Sequence, residues 1–421
     1  MATAGSRRVL VIVQNLPVPF DRRVWLEATT LRRAGYEVSV ICPKAKGFTR
    51  SYERLEDVHI HRYTIPVDAR GSLGFVAEFL WCFVRTLMKS VRVAVRGPGF
   101  DVIHACNPPE TYWLIGLLWR PFGKRFLFDH HDLSPEMYAA KFGKSTGALF
   151  AGLMFLERMT FRTADVVITT NESHRQLALD RGHVSTDDVF IVRSGPDLSR
   201  LNTYPPDSAW KKGKAHLLVY LGEMCAQDGV DYLIRAVGAL RDELGRDDVH
   251  CVLVGGGPHQ QAMREYAKDQ GVAELCTFTG RVSDDDLCRI LSSADVAVDP
   301  DPKTPWSDKS TMNKIMEYMF FGLPIVSFDL TETRASAADA AVYAPANDER
   351  EMARSIAGLL DDPDRREVMG SYGQRRVREA LAWEYSEPPL LAAYERVFAT
   401  HRGVRSVRDR MPVLVDRGGS R

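Results

Sequence analysis

The chain has 421 residues, of which 45% are hydrophobic and 26% are charged, so it can bury a large core and is neither low-complexity nor disordered. This length exceeds what one hydrophobic core usually organises, and it predicts two domains. Lysine and arginine total 55, as do aspartate and glutamate, which leaves no strong positive field of the kind that binds DNA or RNA. A nucleic-acid partner is therefore not expected.

Cysteine usage and the amino terminus bear on the cellular compartment. The seven cysteines are widely spaced, with no Cys-x-x-Cys pair, which is typical of buried thiols in a reducing environment. The first residues run directly into the apolar segment 9–13 and leave no room for a signal peptide. The most apolar window, residues 73–84, contains Glu78 and is too short to cross a bilayer. We expect a cytoplasmic protein without a transmembrane segment.

The first half of the chain alternates short apolar runs with longer helical patterns. The apolar runs predict strands over residues 9–13, 37–41, 102–105, 126–128, 166–169 and 190–192. Helical periodicity covers residues 23–34 and 72–96. Because the strand runs are apolar at successive positions, they predict a parallel sheet with helices on both faces.

A second series of the same kind follows a polar, proline-rich linker over residues 197–215. Its strands are predicted over residues 217–221, 251–254, 276–279, 295–299 and 324–327. The fold class is therefore α/β, with two doubly wound Rossmann-like domains facing each other across a cleft. We expect domains at residues 1–196 and 216–385, a helix over residues 386–400 that packs back on the first domain, and a disordered tail over residues 401–421.

A glycine-rich segment follows the predicted strand at residues 251–254. In a doubly wound sheet ligands bind at the carboxyl ends of strands, and the backbone of Gly255, Gly256 and Gly257 can approach a ligand closely. A tight turn alone would also explain these glycines. The segment does not match G-x-G-x-x-G, and the first strand ends in Gln14-Asn-Leu-Pro-Val-Pro without glycine. A dinucleotide-dependent dehydrogenase is therefore disfavoured.

Several motifs together identify a family. The second half contains Thr279-Gly-Arg-Val-Ser-Asp, Ser293-Ala-Asp-Val-Ala-Val-Asp-Pro and, most specifically, the block from Thr311 to Ser327. The first half contains Phe100-Asp-Val-Ile-His-Ala, Phe128-Asp-His-His-Asp and Val192-Arg-Ser-Gly-Pro-Asp. Over residues 8–400 the chain resembles the retaining glycosyltransferases of family 4, which have the GT-B fold.

The resemblance implies a reaction class. A sugar would pass from a UDP- or GDP-linked donor to a saccharide, lipid-linked or small-molecule acceptor, with retention of anomeric configuration, as in polysaccharide biosynthesis. It implies no cofactor and no essential metal ion, because the positive end of a helix dipole would stabilise the diphosphate instead.

The donor site is expected mainly in the second domain. The resemblance implies that Glu317 acts at the catalytic centre, where its carboxylate would accept both ribose hydroxyls. The backbone that opens the Glu317 helix would bind the diphosphate, and the main chain at Arg281 and Val282 would contact the base. The donor-binding residues are predicted to be Gly222, Gly255, Gly256, Gly257, Arg281, Val282, Lys309, Ser310, Thr311, Met312, Asn313 and Glu317.

The first domain is expected to supply the second catalytic residue, His131, which matches the histidine that faces the donor sugar in the family. A neutral imidazole there could orient the sugar and stabilise developing positive charge, although a helix cap or surface histidine would also fit the position. The neighbouring His130 is predicted to pack inward. The acceptor-side candidates are Arg22, Arg23, Asn107, Asp132 and Glu136; Glu136 also suits a helix start, and the two arginines also suit a helix surface.

The chain departs from the family pattern at the cations that usually clamp the diphosphate. Glu223 and Asp228 stand where the family commonly has Arg and Lys, and Lys309 replaces the first glutamate of Glu-x7-Glu. We hypothesise that Lys309, helped by Arg22 or Arg23, supplies the missing positive charge and pairs with Glu223 when the site is empty. A degenerate transferase that binds a glycan or partner, or an epimerase or phosphorylase on the same scaffold, stays open as an alternative.

The helix over residues 72–96 admits two interpretations. Phe75, Phe79, Phe83, Leu87 and Val91 recur at i, i+4 spacing, which is typical of a helix packed on a core. Basic residues on its other faces would also suit a lip that contacts a membrane to reach a lipid-linked acceptor. In that case the protein would be peripheral at the inner face of the membrane.

Overall fold

The first half of the chain forms an eight-stranded sheet in the computed structural model, which describes residues 7–65 and 71–399. The strands are β1 (Arg8–Ile12), β2 (Glu37–Pro43), β3 (Tyr52–Leu55), β4 (Val58–Tyr63), β5 (Val102–Cys106), β6 (Arg125–His130), β7 (Val166–Thr169) and β8 (Val189–Ile191). Their order is β3-β4-β2-β1-β5-β6-β7-β8, and every pair is parallel except β3 with β4. The helices are α1 (Arg22–Arg33), α2 (Gly71–Arg96), α3 (Trp113–Trp119), α4 (Ser134–Phe142), α5 (Ala148–Thr163) and α6 (Glu172–Asp180).

The second half forms a six-stranded parallel sheet in the order β11-β10-β9-β12-β13-β14. The strands are β9 (His216–Leu221), β10 (Val249–Val254), β11 (Cys276–Gly280), β12 (Val296–Asp299), β13 (Ile325–Phe328) and β14 (Ala341–Ala344). The helices are α7 (Val230–Asp242), α8 (Gln260–Asp269), α9 (Asp284–Ser293), α10 (Asn313–Phe320), α11 (Thr331–Ala337), α12 (Glu349–Leu360), α13 (Pro363–Arg376) and α14 (Glu387–Ala399). The predicted pair of doubly wound domains is confirmed.

Central strands are buried on both faces, which is why apolar runs predicted them. Every residue of β5, β7, β10 and β12 is buried. The sequence analysis missed the hairpin of β3 and β4, where β4 reads Val-His-Ile-His-Arg-Tyr and alternates buried with half-buried positions. It also missed β14, at the edge of the second sheet, whose residues are mostly half-buried. In β3 and β4 the apolar residues are interrupted by polar ones, and β14 is only four residues long, so neither stood out as a buried strand.

The last helix crosses from the second domain to the first. Leu390, Ala393, Tyr394 and Val397 of α14 are buried in the core of the first sheet. The two segments that connect the domains run side by side, since a Cβ atom added to Gly195 would lie 2.1 Å from the carbonyl oxygen of Leu381. The predicted tail over residues 401–421 lies outside the described residues. Among the helices that the structure describes, none is long and apolar enough to cross a bilayer.

Candidate active site

The carboxyl ends of the two sheets line a cleft between the domains. In each sheet the strand order changes direction at the first strand of the domain, between β1 and β5 and between β9 and β12. Such switch points are where doubly wound sheets bind ligands. The domains also touch here: Nδ2 of Asn171 donates to the carbonyl oxygen of Lys309 at 2.8 Å and to Oγ1 of Thr311 at 2.9 Å.

His131 follows β6 directly and lies at this cleft. Its Nδ1 atom is 2.8 Å from Oδ2 of Asp129, which is fully buried, and its own side chain is 17% exposed. Burial lowers the pKa of His131, but the Asp129 carboxylate raises it by more, so the pKa lies above the ordinary value. This shift favours the imidazolium form, whereas the sequence analysis assumed a neutral ring. His130 is buried against Phe128 and Phe161, and its prediction as a packing residue is confirmed.

Asn107 holds the His131 loop in place. Its Oδ1 atom accepts from the backbone nitrogens of His131 at 2.9 Å and Asp132 at 3.1 Å. Its Nδ2 atom donates to the carbonyl oxygen of Asp132 and to Glu110. The side chain is fully buried, so it supports the loop and does not face an acceptor as the sequence predicted. Asp132 is half-buried, and burial raises the pKa of its carboxyl group.

Glu317 lies on α10 and contacts the opposite domain. Its Oε1 atom is 3.3 Å from Nη1 of Arg22, and the Glu317 side chain is 14% exposed. Nη2 of the same arginine is 2.7 Å from Oδ1 of Asp284, the first residue of α9. Burial raises the pKa of Glu317 while Arg22 opposes the shift. Arg22 therefore contacts one oxygen of the carboxylate that was predicted to bind a ribose.

The segment from Ser310 to Asn313 opens α10. The cap residue Met312 is extended, and no side chain caps the first turn. Ser310 and Thr311 use their hydroxyl groups elsewhere, since Ser310 donates to the carbonyl oxygen of Trp306 and Thr311 accepts from Asn171. Backbone N–H groups at an uncapped helix start are suited to an anion.

The glycines after β9 and β10 have a packing role. Gly255 has φ of 129°, and a Cβ atom there would lie 1.8 Å from the carbonyl oxygen of Gly222. Gly257 has φ of 137°, and its Cβ atom would lie 2.7 Å from the backbone of Met224. The close approach that these two glycines permit is thus between two loops of the protein. Gly256 faces open space and could meet a ligand.

Arg281 and Val282 lie between β11 and α9. The guanidinium of Arg281 lies 4.0 Å from the centre of the Phe20 ring, a cation–π contact across the cleft. Val282 packs against the core of the second domain. The residues before α1 therefore close over the segment that was predicted to contact the base.

The predicted pairing of Glu223 with Lys309 is not formed. Glu223 is exposed, Lys309 is half-buried, and neither forms an ion pair within the described part of the chain. Asp228 accepts from the backbone nitrogen of Cys225 at 2.7 Å, and burial raises the pKa of its carboxyl group.

Sequence analysis missed a buried cation near Asp228, the side chain of Lys314. Nζ of Lys314, the second residue of α10, is 2.6 Å from Asp301 and 3.0 Å from Asp299. The charge of this lysine partly opposes the rise that burial causes in the pKa of Asp228. Its position next to Asn313 in the most specific motif, with two acids at the end of β12, was a signal that could have found it.

Two acceptor-side candidates have internal partners. Arg23 is 9% exposed and forms a two-pronged contact with Asp129, at 2.7 and 2.9 Å. Glu136 is 6% exposed and pairs with Arg181. Glu136 is therefore occupied within the first domain, whereas Arg23 also lines the cavity beside Glu317. Their acceptor-side roles stay predictions. From the sequence, an arginine at a helix start such as Arg23 is expected on the surface. Its burial became evident only from its partners in the folded structure.

A cavity of about 500 Å³ adjoins Glu317, between α1, α9, α10 and the connecting segment. Among the predicted site residues, Glu317, Asn313, Arg22 and Arg23 contribute to its walls. Its size is typical of small-molecule sites.

Two Rossmann-like domains that face each other across such a cleft define a GT-B protein. Sucrose-phosphate synthase from Thermosynechococcus elongatus superimposes with a TM-score of 0.76 at 19% identity, covering 93% of this chain and 99% of that one. HepE of Anabaena, solved with UDP and glucose, superimposes with a TM-score of 0.69 at 14% identity, covering 92% and 99%. These similarities concern the fold.

Sequence comparison then identifies the family. Residues 21–195 match the description "Glycosyl transferase 4-like domain" and residues 215–362 match "Glycosyl transferases group 1". The D-inositol 3-phosphate glycosyltransferase of Salinispora tropica is 25% identical over 334 residues, which cover 73% of this chain and 67% of the relative. A GDP-mannose-dependent phosphatidylinositol monomannoside mannosyltransferase of Mycobacterium tuberculosis is 29% identical over 200 residues, 45% of this chain and 51% of that protein. The chain belongs to the family 4 glycosyltransferases and is a glycosyltransferase.

Proposed function

We propose that the protein transfers a hexose from a UDP- or GDP-linked donor to a saccharide, lipid-linked or small-molecule acceptor, with retention and without a metal ion. The observation that carries the proposal is the buried carboxylate of Glu317 on α10, a helix whose first turn has no side-chain cap. The carboxylate would accept the ribose hydroxyls, and the helix start would bind the diphosphate. His131 would face the sugar from the other domain.

The proposed donor needs a positive charge beside its diphosphate. Arg22 is held by Asp284 and Glu317, and Arg23 by Asp129, so neither is placed to assist Lys309. Lys314 is held by two carboxylates. We propose that Lys309, which has no ion-pair partner among the described residues, supplies the mobile cation, and that Lys314 offsets the charge of Asp228 nearby.

The proposal is tested by a screen of the full chain against UDP- and GDP-linked glucose, galactose and mannose, with release of nucleoside diphosphate as the readout. NMR of the product reports its anomeric configuration, and a parallel reaction contains excess EDTA. Retention with EDTA-resistant turnover is expected. An inverted product would refute retention, and loss restored by Mg²⁺ would refute metal independence. Donor binding without turnover would favour the degenerate, glycan-binding alternative.

We further propose that α2 contacts an anionic membrane surface. One face of α2 packs inward through Cys82 and Val93, and the other exposes Leu80, Met88 and Val95 by 58 to 75%. The side chain of Phe75 lies outside the described residues. Basic residues at positions 85, 89, 92 and 96 accompany the exposed apolar face.

Sedimentation with phosphatidylglycerol vesicles tests this contact. The double variant Leu80→Glu/Met88→Glu should abolish co-sedimentation, whereas Val368→Glu, at an exposed apolar position of the second domain, should not. Absence of binding by the wild-type chain would favour a soluble acceptor.

A further inference from the structure

A buried group of charged side chains lies directly behind His131. Asp129 is fully buried and contacts both the His131 ring and the guanidinium of Arg23. Asp129 belongs to β6, which is paired on both sides, and Arg23 lies in the first turn of α1. Both groups are therefore held by regular secondary structure.

The Arg23 guanidinium is itself fixed from several directions. Its Nη1 atom donates to the carbonyl oxygen of Val192 at 2.8 Å and to Oγ of Ser194 at 3.0 Å. Its Nη2 atom lies 3.1 Å from Oε1 of Glu27, one turn along α1. A guanidinium with this many partners leaves the Asp129 carboxylate little freedom to rotate.

The contact between Asp129 and His131 decides where the imidazole proton resides. Arg23 keeps the pKa of Asp129 well below its usual range, against the effect of burial, so the carboxylate is ionised and can only accept hydrogen bonds. Nδ1 of His131, at 2.8 Å, must then carry a proton. The Nε2 atom is then available to the cleft. It can accept a hydrogen bond when the ring is neutral and donate one when the ring is an imidazolium.

We propose that Asp129, locked by Arg23, is a positioning residue that keeps the proton of His131 on Nδ1 and orients the ring so that Nε2 faces the donor sugar. This rests on the proposed function, in which His131 contacts the sugar. The arrangement resembles the support that a buried carboxylate gives a catalytic histidine in hydrolases. Here the carboxylate is fixed by an arginine that also binds the segment joining the domains.

A metal ion is the rival explanation for this cluster. Ligand atoms of Glu27, His104, Cys106 and Asp129 lie within 4.8 Å of one another. The Arg23 guanidinium already contacts both carboxylates, so a second cation would have to displace it. Metal analysis of the purified protein decides the point, since a stoichiometric metal abolished by Asp129→Asn would overturn the proposal.

The first test reads the tautomer and needs no activity. In the full chain labelled with ¹⁵N-histidine, the His131 signals are assigned by their loss in His131→Ala. We expect Nδ1 to be protonated in the neutral ring, and we expect the pKa of His131 to lie above that of an unperturbed histidine. An Nε2-protonated neutral ring, or titration at or below the ordinary value, would overturn the proposal even if Asp129→Asn does not fold.

Other groups near His131 must be considered when its titration is interpreted. Besides Asp129 and Arg23, these are Asp21 and Glu27 on the α1 side, His104 on β5, Asp132 in the same loop and His174 on α6. Only Asp129 is hydrogen-bonded to the ring among the described residues. The titration of His131 should therefore move to lower pH in Asp129→Asn.

The second test separates positioning from a structural role by kinetics. Asp129→Asn should lower kcat by about 100-fold, with the KM for the donor changed by less than about threefold. In the His131→Ala background, Asp129→Asn should lower kcat by less than about twofold, because Asp129 acts through the His131 ring, which is absent there. Equal losses in both backgrounds would refute the proposal. Asp101→Asn, which breaks the ion pair with Arg8 at the opposite end of the sheet, is the control and should leave kcat unchanged.

Discussion

Nη1 of Arg22 lies 3.3 Å from Oε1 of Glu317, and this contact joins the two domains across the cleft. An arginine of the first domain thus contacts the carboxylate that the proposed donor would use. A ribose that used both oxygens of Glu317, as proposed, would compete with Arg22 for Oε1, while Arg22 would keep its second partner, Asp284, at 2.7 Å. The proposed function therefore predicts that donor binding and this contact between the domains are coupled.

Arg22→Ala should tighten the binding of UDP or GDP by about two- to fivefold, measured by calorimetry. The arginine is 47% exposed, so the ion pair that has to break contributes no more than about 1 kcal/mol. Arg289→Ala, which removes an exposed ion pair on the outer face of α9, should have no effect. Weaker binding in Arg22→Ala would mean that this arginine supplies charge to the diphosphate.

Glu317→Ala should weaken nucleoside diphosphate binding by roughly 10- to 150-fold, because hydrogen bonds to a charged acceptor contribute about 1.5–3 kcal/mol. Calorimetry with the same nucleotide measures the change. Glu265→Ala, at an exposed glutamate of α8, is the matched control. Unchanged affinity in Glu317→Ala would remove Glu317 from the donor site.

Lys309→Ala should weaken donor binding at low ionic strength, and the loss should shrink as salt is added, because a lysine binds phosphate as a screened point charge. Since Glu223 and Lys309 form no ion pair, the effects of Glu223→Ala and Lys309→Ala should add in the double variant. Lys303→Ala, in the same loop and paired with Asp308, is the control. A strong departure from additivity would show that the two side chains do interact when the donor binds.

Glu27→Gln should stabilise the protein at high pH and have little effect at low pH. Burial, and then the Asp129 charge, raise the pKa of Glu27 from 4.5 to about 8. The folded state therefore holds a proton that the unfolded chain releases, and the free energy of unfolding falls as pH rises from about 4.5 to about 8. Glutamine removes this loss.

The measurement is the difference in Tm between Glu27→Gln and the wild type at pH 5 and pH 8.5. The difference should be larger at pH 8.5, whereas Glu265→Gln should give no difference at either pH. The same Tm difference at both values would show that Glu27 is ionised throughout this range.

The motifs of the second domain were informative because they are local. Glu317, Asn313 and the opening of α10 occupy one short segment, whose helix start and strand position follow from the residues themselves. His131 could be placed at the cleft for the same reason, since it comes three residues after the apolar run 126–128 that predicted the strand. The sequence allowed the helix over residues 72–96 to be either a core-packed helix or a membrane-contacting one. The structure shows that α2 has both a packed face and an exposed apolar face.

The roles of the charged side chains could not be predicted in the same way. In sequence, Arg22 and Arg23 are equivalent neighbours at a helix start, yet one spans the cleft and the other is buried against Asp129. The rotation of α1 on the sheet decides this difference, because adjacent helical residues point about 100° apart. Asp129 itself appeared only as part of a motif.

The sequence by itself determined the two doubly wound domains, the strand ends at which ligands bind and the helix that carries Glu317, because apolar periodicity and turn chemistry act between neighbours in the chain. The tertiary structure alone decided the partners of Arg22, Arg23, Asn107, Glu136 and Lys314. Most of these contacts join residues far apart in the chain or in different domains, and burial makes each one depend on how helices, sheets and domains pack together.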